Sequence, residues 1–345
     1  MRFGVVGAGS MGAIYAHCLN NLVQGASLGG VTGGTRAPAL ASTHGVSYVP
    51  TLQELLARDD IDAVALTSPT QAHLSQTLAA AAAGKHVFVE KPMAVGVEDC
   101  DAMIQACGAA GVELAVNSVT RYRRGVRQAK DLVDQGAIGT IRMIRHTYSW
   151  ILTDYSGGKS WTVEPGAGSP FLDQGAHCND VLRWFTGSEP VLCLAQYASY
   201  GSAPPPNQSA MVTYRFENGV MADLWASYEF PSPGLGRRGW TIDYMFVGSD
   251  GIIDVEYYGS LRLGRGDTWE TLYEHPVVDI IRDPLDPNRM YPYADQLQDF
   301  VDALAAGRRP LVTGEDGRAG IEMAVAADIA AATNQAVKLP LSSGR

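Results

Sequence analysis

The sequence predicts an α/β plus α+β protein: an N-terminal doubly wound parallel sheet, then a C-terminal α+β domain on a mostly antiparallel open sheet. Three observations carry this. At 345 residues the chain exceeds what one layered domain ordinarily holds. Residues 1–117 alternate short β-rich runs with Ala-rich helical stretches, as βαβ units do. After Asn117 the runs lengthen and are joined by hairpin turns, which makes neighbouring strands antiparallel. The expected domains are 1–118 and 119–345.

The elements follow in order. Arg2–Val6, Leu28–Thr32, Ala63–Thr67, His86–Glu90 and Val112–Val116 read as strands. Met11–Leu22, Thr51–Arg58, Gln71–Ala83 and Val97–Ala110 read as helices between them, with Gly84 a good C-terminal stop. A basic helix over Arg123–Gln135 follows, carrying Arg123, Arg124 and Arg127. Ile141–Trp150, Val191–Tyr200, Ala210–Glu217, Val220–Phe230, Trp240–Gly248 and Gly251–Tyr257 alternate as half-buried strands. Glu217-Asn218-Gly219 and Gly248-Ser249-Asp250-Gly251 are the hairpin turns. Ser169 and Pro170 suit the N-cap and first position of another helix. Ala294–Ala306 and Gly314–Thr333 are the final helices.

Composition narrows the function. Hydrophobic residues make up 46% and charged residues 18%, a globular balance. No apolar run approaches the roughly 20 residues that span a bilayer. Arg2 leads at once into a strand, with no signal-peptide pattern, so cytoplasm is the expected compartment. A formal charge of −10 argues against nucleic acid as partner. The five cysteines are scattered without C-x-x-C, which suits reduced thiols, and the seven histidines form no metal-binding pattern.

Gly7-Ala8-Gly9-Ser10-Met11-Gly12 lies between the first strand and first helix. In G-x-G-x-x-G the first glycine permits a tight turn, the second lets backbone approach a pyrophosphate, and the third lets helix and strand pack closely. The pyrophosphate then meets free N–H groups at the helix N-terminus. The bland alternative is a glycine turn that binds nothing. Sites that prefer NAD place an acidic residue about 20 residues on, against the ribose 2′-hydroxyl. Here none occurs before Glu54, and the second strand runs on through Val31-Thr32 into Gly33-Gly34-Thr35-Arg36. Thr35 and Arg36 would meet a 2′-phosphate with hydroxyl and guanidinium, so NADP(H) is favoured over NAD(H). The alternative is a solvated Arg36 and a ribose held by backbone, in which case NAD serves.

Lys91, in Gly84-Lys85-His86-Val87-Phe88-Val89-Glu90-Lys91-Pro92, stands at the carboxyl end of a strand, where open α/β sheets bind ligands. Pro92 keeps it out of helical geometry. A solvated strand end would read the same way. Asp173, His177, Asp180 and Trp184 fall at i, i+4, i+7 and i+11 of the helix opened by Ser169, on one face. A His one turn after an Asp can exchange protons, the carboxylate orienting the ring. The alternative is an Asp that complements the helix dipole beside a packed surface His.

Together these pieces resemble the Gfo/Idh/MocA family, the glucose–fructose oxidoreductase and inositol dehydrogenase group. The matching residues are Gly7-x-Gly9-x-x-Gly12, Thr67-Ser68-Pro69-Thr70-x-x-His73, Gly84-Lys85-His86 through Glu90-Lys91-Pro92, Asp173-x-x-x-His177-x-x-Asp180, and Thr313-Gly314-Glu315-Asp316-Gly317. They run in the family's order from residue 2 to about residue 340. The resemblance implies an NAD(P)-dependent dehydrogenase or reductase acting on CH–OH groups of a sugar, cyclitol or similar polyol. It implies Lys91, Asp173 and His177 as catalytic residues, and Gly7, Gly9, Ser10, Met11, Gly12, Thr35, Arg36, Ser68, Pro69, His73, Glu90 and Lys91 at the cofactor. Arg121, Tyr155 and Trp161, with Asp173 and His177, are the expected substrate contacts; Tyr122, Asp154, Lys159 and Tyr291 are further candidates. A homodimer or homotetramer pairing through the open sheet face is implied too. Gly166-Ala167-Gly168-Ser169-Pro170 departs from the run of glycines many relatives have there. Alternative readings are a cyclic dihydrodiol dehydrogenase, a non-catalytic nucleotide-sensing binding protein, or an enzyme subunit whose cofactor stays bound as scaffold.

Overall fold

The computed structural model describes residues 1–149, 168–201, 207–229, 241–278 and 283–342. The chain divides into two compact units, residues 1–122 with 278–318, and residues 123–277 with 319–345.

The first unit holds a six-stranded sheet. Its strands are β1 (Arg2–Val6), β2 (Ser27–Thr32), β3 (Ser47–Tyr48), β4 (Ala63–Leu66), β5 (His86–Val89) and β6 (Leu114–Val116). They lie in the order β3-β2-β1-β4-β5-β6, every pairing parallel. The order reverses between β2-β1 and β4, the switch point where such sheets take ligands at their carboxyl ends. Helices α1 (Ser10–Asn21), α2 (Ala37–Thr43), α3 (Leu52–Leu56), α4 (His73–Ala82) and α5 (Val97–Ala110) connect the strands. β1, β4 and β5 are apolar and almost wholly buried, as strands covered on both faces must be.

The late helix α8 (Pro287–Ala306), which lies beyond the expected cut after residue 118, packs into the first unit. Its Phe300 ring lies 6.2 Å from Phe3 and 5.8 Å from Phe88, and Leu297 is fully buried beside them. The apolar stripe of α8 thus completes the core of β1 and β5.

The second unit is built on a nine-stranded sheet. Its strands are β7 (Ile141–Ser149), β8 (Pro190–Ala198), β9 (Ser209–Phe216), β10 (Met221–Ser227), β11 (Thr241–Gly248), β12 (Ile252–Glu256), β13 (Ser260–Arg265), β14 (Thr268–Glu274) and β15 (Val337–Lys338). The order is β14-β13-β12-β11-β7-β10-β9-β8-β15. β7 and β10 pair in parallel and the other neighbours are antiparallel, the mostly antiparallel sheet the sequence predicts. The β13–β14 hairpin goes unnoticed in the sequence because β14 is an edge strand with little alternation: its burial is exposed through four successive residues.

Helix α7 (Pro170–Thr186) covers one face of this sheet, packing on β7, β9 and β10. Phe171 meets Tyr197 and Phe185 stacks on Phe246 at 3.9 Å. Helix α6 (Arg124–Asp134) packs on β12 and β13, and α9 (Gly314–Thr333) closes the chain's helices. On the opposite sheet face Met143, Leu194, Met211 and Met221 stay about half exposed, between 48% and 60%. Among the described residues no helix is long and apolar enough to cross a membrane. All five cysteines are buried thiols and none is in a disulfide.

Candidate active site

The turn between β1 and α1 is set by contacts at two glycines. Gly7 has φ +105°, and a Cβ there would stand 2.8 Å from the Ser68 nitrogen and the Thr67 carbonyl oxygen. A Cβ on Gly12 would stand 2.0 Å from the Gly7 carbonyl oxygen. The Thr67 hydroxyl donates to the same carbonyl at 2.7 Å and ties the end of β4 to the turn. Gly9 faces open space instead. The nearest atom to a Cβ built there is an Arg36 guanidinium nitrogen, 3.8 Å away.

No side chain caps α1, and its first turn carries no acidic residue. Its N-terminal N–H groups therefore face a glycine-lined space with a guanidinium on its rim. That combination fits a dinucleotide pyrophosphate, with Arg36 toward a nearby anionic group. Thr35 and Arg36 are exposed, and Arg36 opens α2. Ser10 and Pro69 are exposed, Met11 and Ser68 partly so.

Lys91 stands just past the end of β5, after Glu90, and two buried groups lie close to it in the chain fold. His73 is 1% exposed. Its Nδ1 lies 3.1 Å from the Pro92 carbonyl and 3.2 Å from that of Met93, while Nε2 lies 2.9 Å from the Ser68 carbonyl. Burial lowers its pKa. With both ring nitrogens on backbone carbonyls, His73 holds two loops together beneath the surface.

Glu90 is likewise inside, 5% exposed. Its carboxylate accepts from Tyr15 Oη at 2.5 Å, from Asn117 Nδ2 at 2.8 Å to each oxygen, and from the Lys91 backbone N–H at 3.0 Å. Gln296 Nε2 donates in turn to Tyr15 Oη at 3.1 Å. Burial raises the Glu90 pKa, opposed by these donors and by the Lys91 charge.

In the second unit α7 begins as the sequence predicts. Ser169 is the N-cap and accepts the Leu172 N–H at 3.0 Å, with Pro170 next. Asp173 is 7% exposed, and its carboxylate accepts a hydrogen bond from the Tyr228 hydroxyl, just after β10. His177, one turn on, is partly exposed and stacks on the Tyr148 ring of β7, centroids 5.7 Å apart and planes 25° from parallel. Ala226 of β10 pairs with Tyr148, so the strands' parallel register brings both tyrosines under one turn of α7.

Residues 1–118 match a family described as "Oxidoreductase family, NAD-binding Rossmann fold", and residues 126–254 match the GFO/IDH/MocA C-terminal domain. A 1,5-anhydro-D-fructose reductase of Ensifer adhaerens is 30% identical over 314 residues, 89% of this chain and 89% of the relative. The chain belongs to the GFO/IDH/MocA oxidoreductase family. It is also similar to a scyllo-inositol 2-dehydrogenase (NAD(+)) of Bacillus subtilis, 27% identical over 95% of this chain and 93% of that one. The solved structure of scyllo-inositol dehydrogenase from Lactobacillus casei, with bound NAD(H) and scyllo-inositol, superposes with a TM-score of 0.81 at 26% identity, covering 98% of each chain. As a GFO/IDH/MocA protein the chain is an enzyme, an NAD(P)-dependent dehydrogenase or reductase.

Some residues expected at the site have other partners. The Arg121 guanidinium donates to the Leu311 carbonyl at 3.0 Å and pairs with Asp316 at 3.2 Å, a buried structural contact in the first unit. Tyr122 donates to Asp299 at 2.9 Å. Tyr155 and Trp161, with Asp154 and Lys159, lie outside the described residues. Tyr148 and Tyr228 were not legible as partners of α7, because each looks like an ordinary strand aromatic until the register is known.

Proposed function

We propose that this oxidoreductase transfers hydride between nicotinamide C4 and a secondary alcohol or ketone of a sugar, cyclitol or similar polyol, with NADP(H) favoured over NAD(H). The observation that carries the reading is the Asp173–His177 pair, one helical turn apart, with Tyr228 donating to the carboxylate and Tyr148 beneath the imidazole. The names of the relatives, which act on cyclitols and on an anhydro-sugar, support the substrate class.

The nicotinamide cofactor supplies the hydride exchange. Gly7, Gly9, Ser10, Met11 and Gly12 would hold its pyrophosphate, with Ser68 and Pro69 beside them. Thr35 and Arg36 would receive the 2′-phosphate. Lys91 places positive charge at the reacting oxygen and stabilises alkoxide character there. His177 takes the hydroxyl proton in oxidation and returns it in reduction, oriented by Asp173. His73 acts from beneath as a positioning residue for the Ser68 and Pro92 loops. A small polyol is the partner, the cytoplasm the compartment, and a homodimer or homotetramer the assembly.

Two measurements test this. Incubation with NADP⁺ and a panel of sugars and inositols, followed by absorbance, is expected to show turnover; silence across the panel overturns the polyol assignment. The parent is expected to favour NADPH over NADH, and Arg36→Ala to abolish that preference. Equal efficiency with both coenzymes in the parent sinks the phosphate role.

A further inference from the structure

We infer that Glu90 is a positioning residue for Lys91, a buried carboxylate held by Tyr15, Asn117 and Gln296 whose negative charge keeps the neighbouring lysine protonated. The inference rests on the reading of Lys91 as the cation at the reacting oxygen.

The direction of each hydrogen bond carries the charge assignment. Gln296 gives an N–H to the Tyr15 oxygen at 3.1 Å, which leaves the tyrosine hydrogen for Glu90. Asn117 uses its carbonyl oxygen to accept the Val119 N–H at 2.9 Å, which fixes the amide so that its NH₂ group faces both carboxylate oxygens. The Lys91 backbone N–H is the remaining donor. Every partner donates, and only the ionised carboxylate is acceptor alone. A protonated Glu90 would turn an O–H against one of these donors. The network spans α1, the loop after β6, and α8, so three elements must agree for Glu90 to sit where it does.

The ionisable surroundings leave Lys91 as the cation this charge meets. Tyr15 comes from α1, with Cys18 on the same helix and Tyr293 of α8 behind it. All three are neutral in their ordinary forms, and burial raises the pKa of Tyr15 well above normal and that of Cys18 to about 12. Lys91 is the cationic group whose charge acts on Glu90. The coupling is mutual, so a charged Glu90 holds the lysine ammonium as firmly as the ammonium holds the carboxylate. Tyr15 also stands three residues past Gly12, so the helix that presents N–H groups to the dinucleotide is the helix that holds Glu90.

The test reads lysine ionisation by pulse acetylation with acetic anhydride and mass spectrometry, with exposed Lys338 as internal reference. It needs no substrate. At pH 8 Lys91 in the parent is expected to label more slowly than Lys338, and the gap to persist at about pH 10.5, where an ordinary lysine is half deprotonated while the Glu90 charge still holds the Lys91 ammonium. Glu90→Gln is expected to speed Lys91 labelling at pH 8 by about tenfold, the effect of losing one opposite charge at close range. Tyr15→Phe, which removes a donor but keeps the carboxylate and its charge, is expected to leave Lys91 labelling at pH 8 within about twofold of the parent. Unchanged labelling at pH 8 in folded Glu90→Gln overturns the inference, as does a rise in folded Tyr15→Phe equal to that in Glu90→Gln. Should neither variant fold, equal labelling of Lys91 and Lys338 at pH 8 in the parent overturns it. Altered labelling without polyol turnover would leave this inference standing and remove the substrate assignment.

Discussion

Single residues carry the chemistry, and what each can do depends on its immediate partners. Lys91 and His177 lie partly open to solvent, while His73, Glu90 and Asp173, proposed as their supports, are each less than 10% exposed. Reactive groups at a surface with buried supports retain their orientation without spending substrate binding energy on it. Replacing Lys91 with Ala, or His177 with Ala, is therefore expected to lower turnover by ~10²-fold or more while the fold persists. Steady-state kinetics on the purified variants checks this; a drop below threefold in either case would refute that residue's role. Asp173 and His177 were legible together from their spacing alone. Their tyrosine partners were not, since Tyr148 and Tyr228 lie 29 residues before and 51 residues after His177 and meet α7 only across strand register.

Among the elements, α8 shows how much a helix owes to its packing. Its sequence reads as an amphipathic helix, but nothing local says which sheet its apolar stripe will meet. In the structure Phe300 fills the gap between Phe3 and Phe88, and Gln296 on the same helix reaches Tyr15. Phe300→Ala removes a fully buried ring from this core and is expected to cost about 3–5 kcal/mol. Urea unfolding measures it. A loss under about 1 kcal/mol would mean that α8 is dispensable to the first unit. By contrast the start of α7 was legible, since Ser169 caps it and Pro170 opens it, whereas its stop at Gly187, with φ +57°, comes from the structure.

For the molecule as a whole, one face of the second unit's sheet carries no helix among the described residues. Met221 pairs with Met143 across β10 and β7, and Met211 and Leu194 lie along the neighbouring strands. Exposed apolar side chains spread over several adjacent strands mark an association surface. Sedimentation velocity is expected to give a homodimer or homotetramer, and the double change Met211→Asp with Met221→Asp to give monomer. A monomeric parent would discard the proposed assembly.

By itself the sequence determined the parallel and the antiparallel sheets, the glycine turn, and the spacing of Asp173 and His177. Each of these is a local or periodic pattern, written in residues at most a few positions apart. Tertiary structure alone decided that α8 belongs with the first sheet, that His73 and Glu90 are buried beside the Lys91-Pro92 segment, and that Arg121 pairs with Asp316. Those outcomes depend on which distant groups share a buried space, where an unpaired polar atom is costly and a donor must find its acceptor. The glycine turn is legible because one short loop must satisfy one backbone geometry. The hydrogen-bond network around Glu90 was not, because it draws on α1, the end of β6 and α8, whose convergence only the folded chain defines.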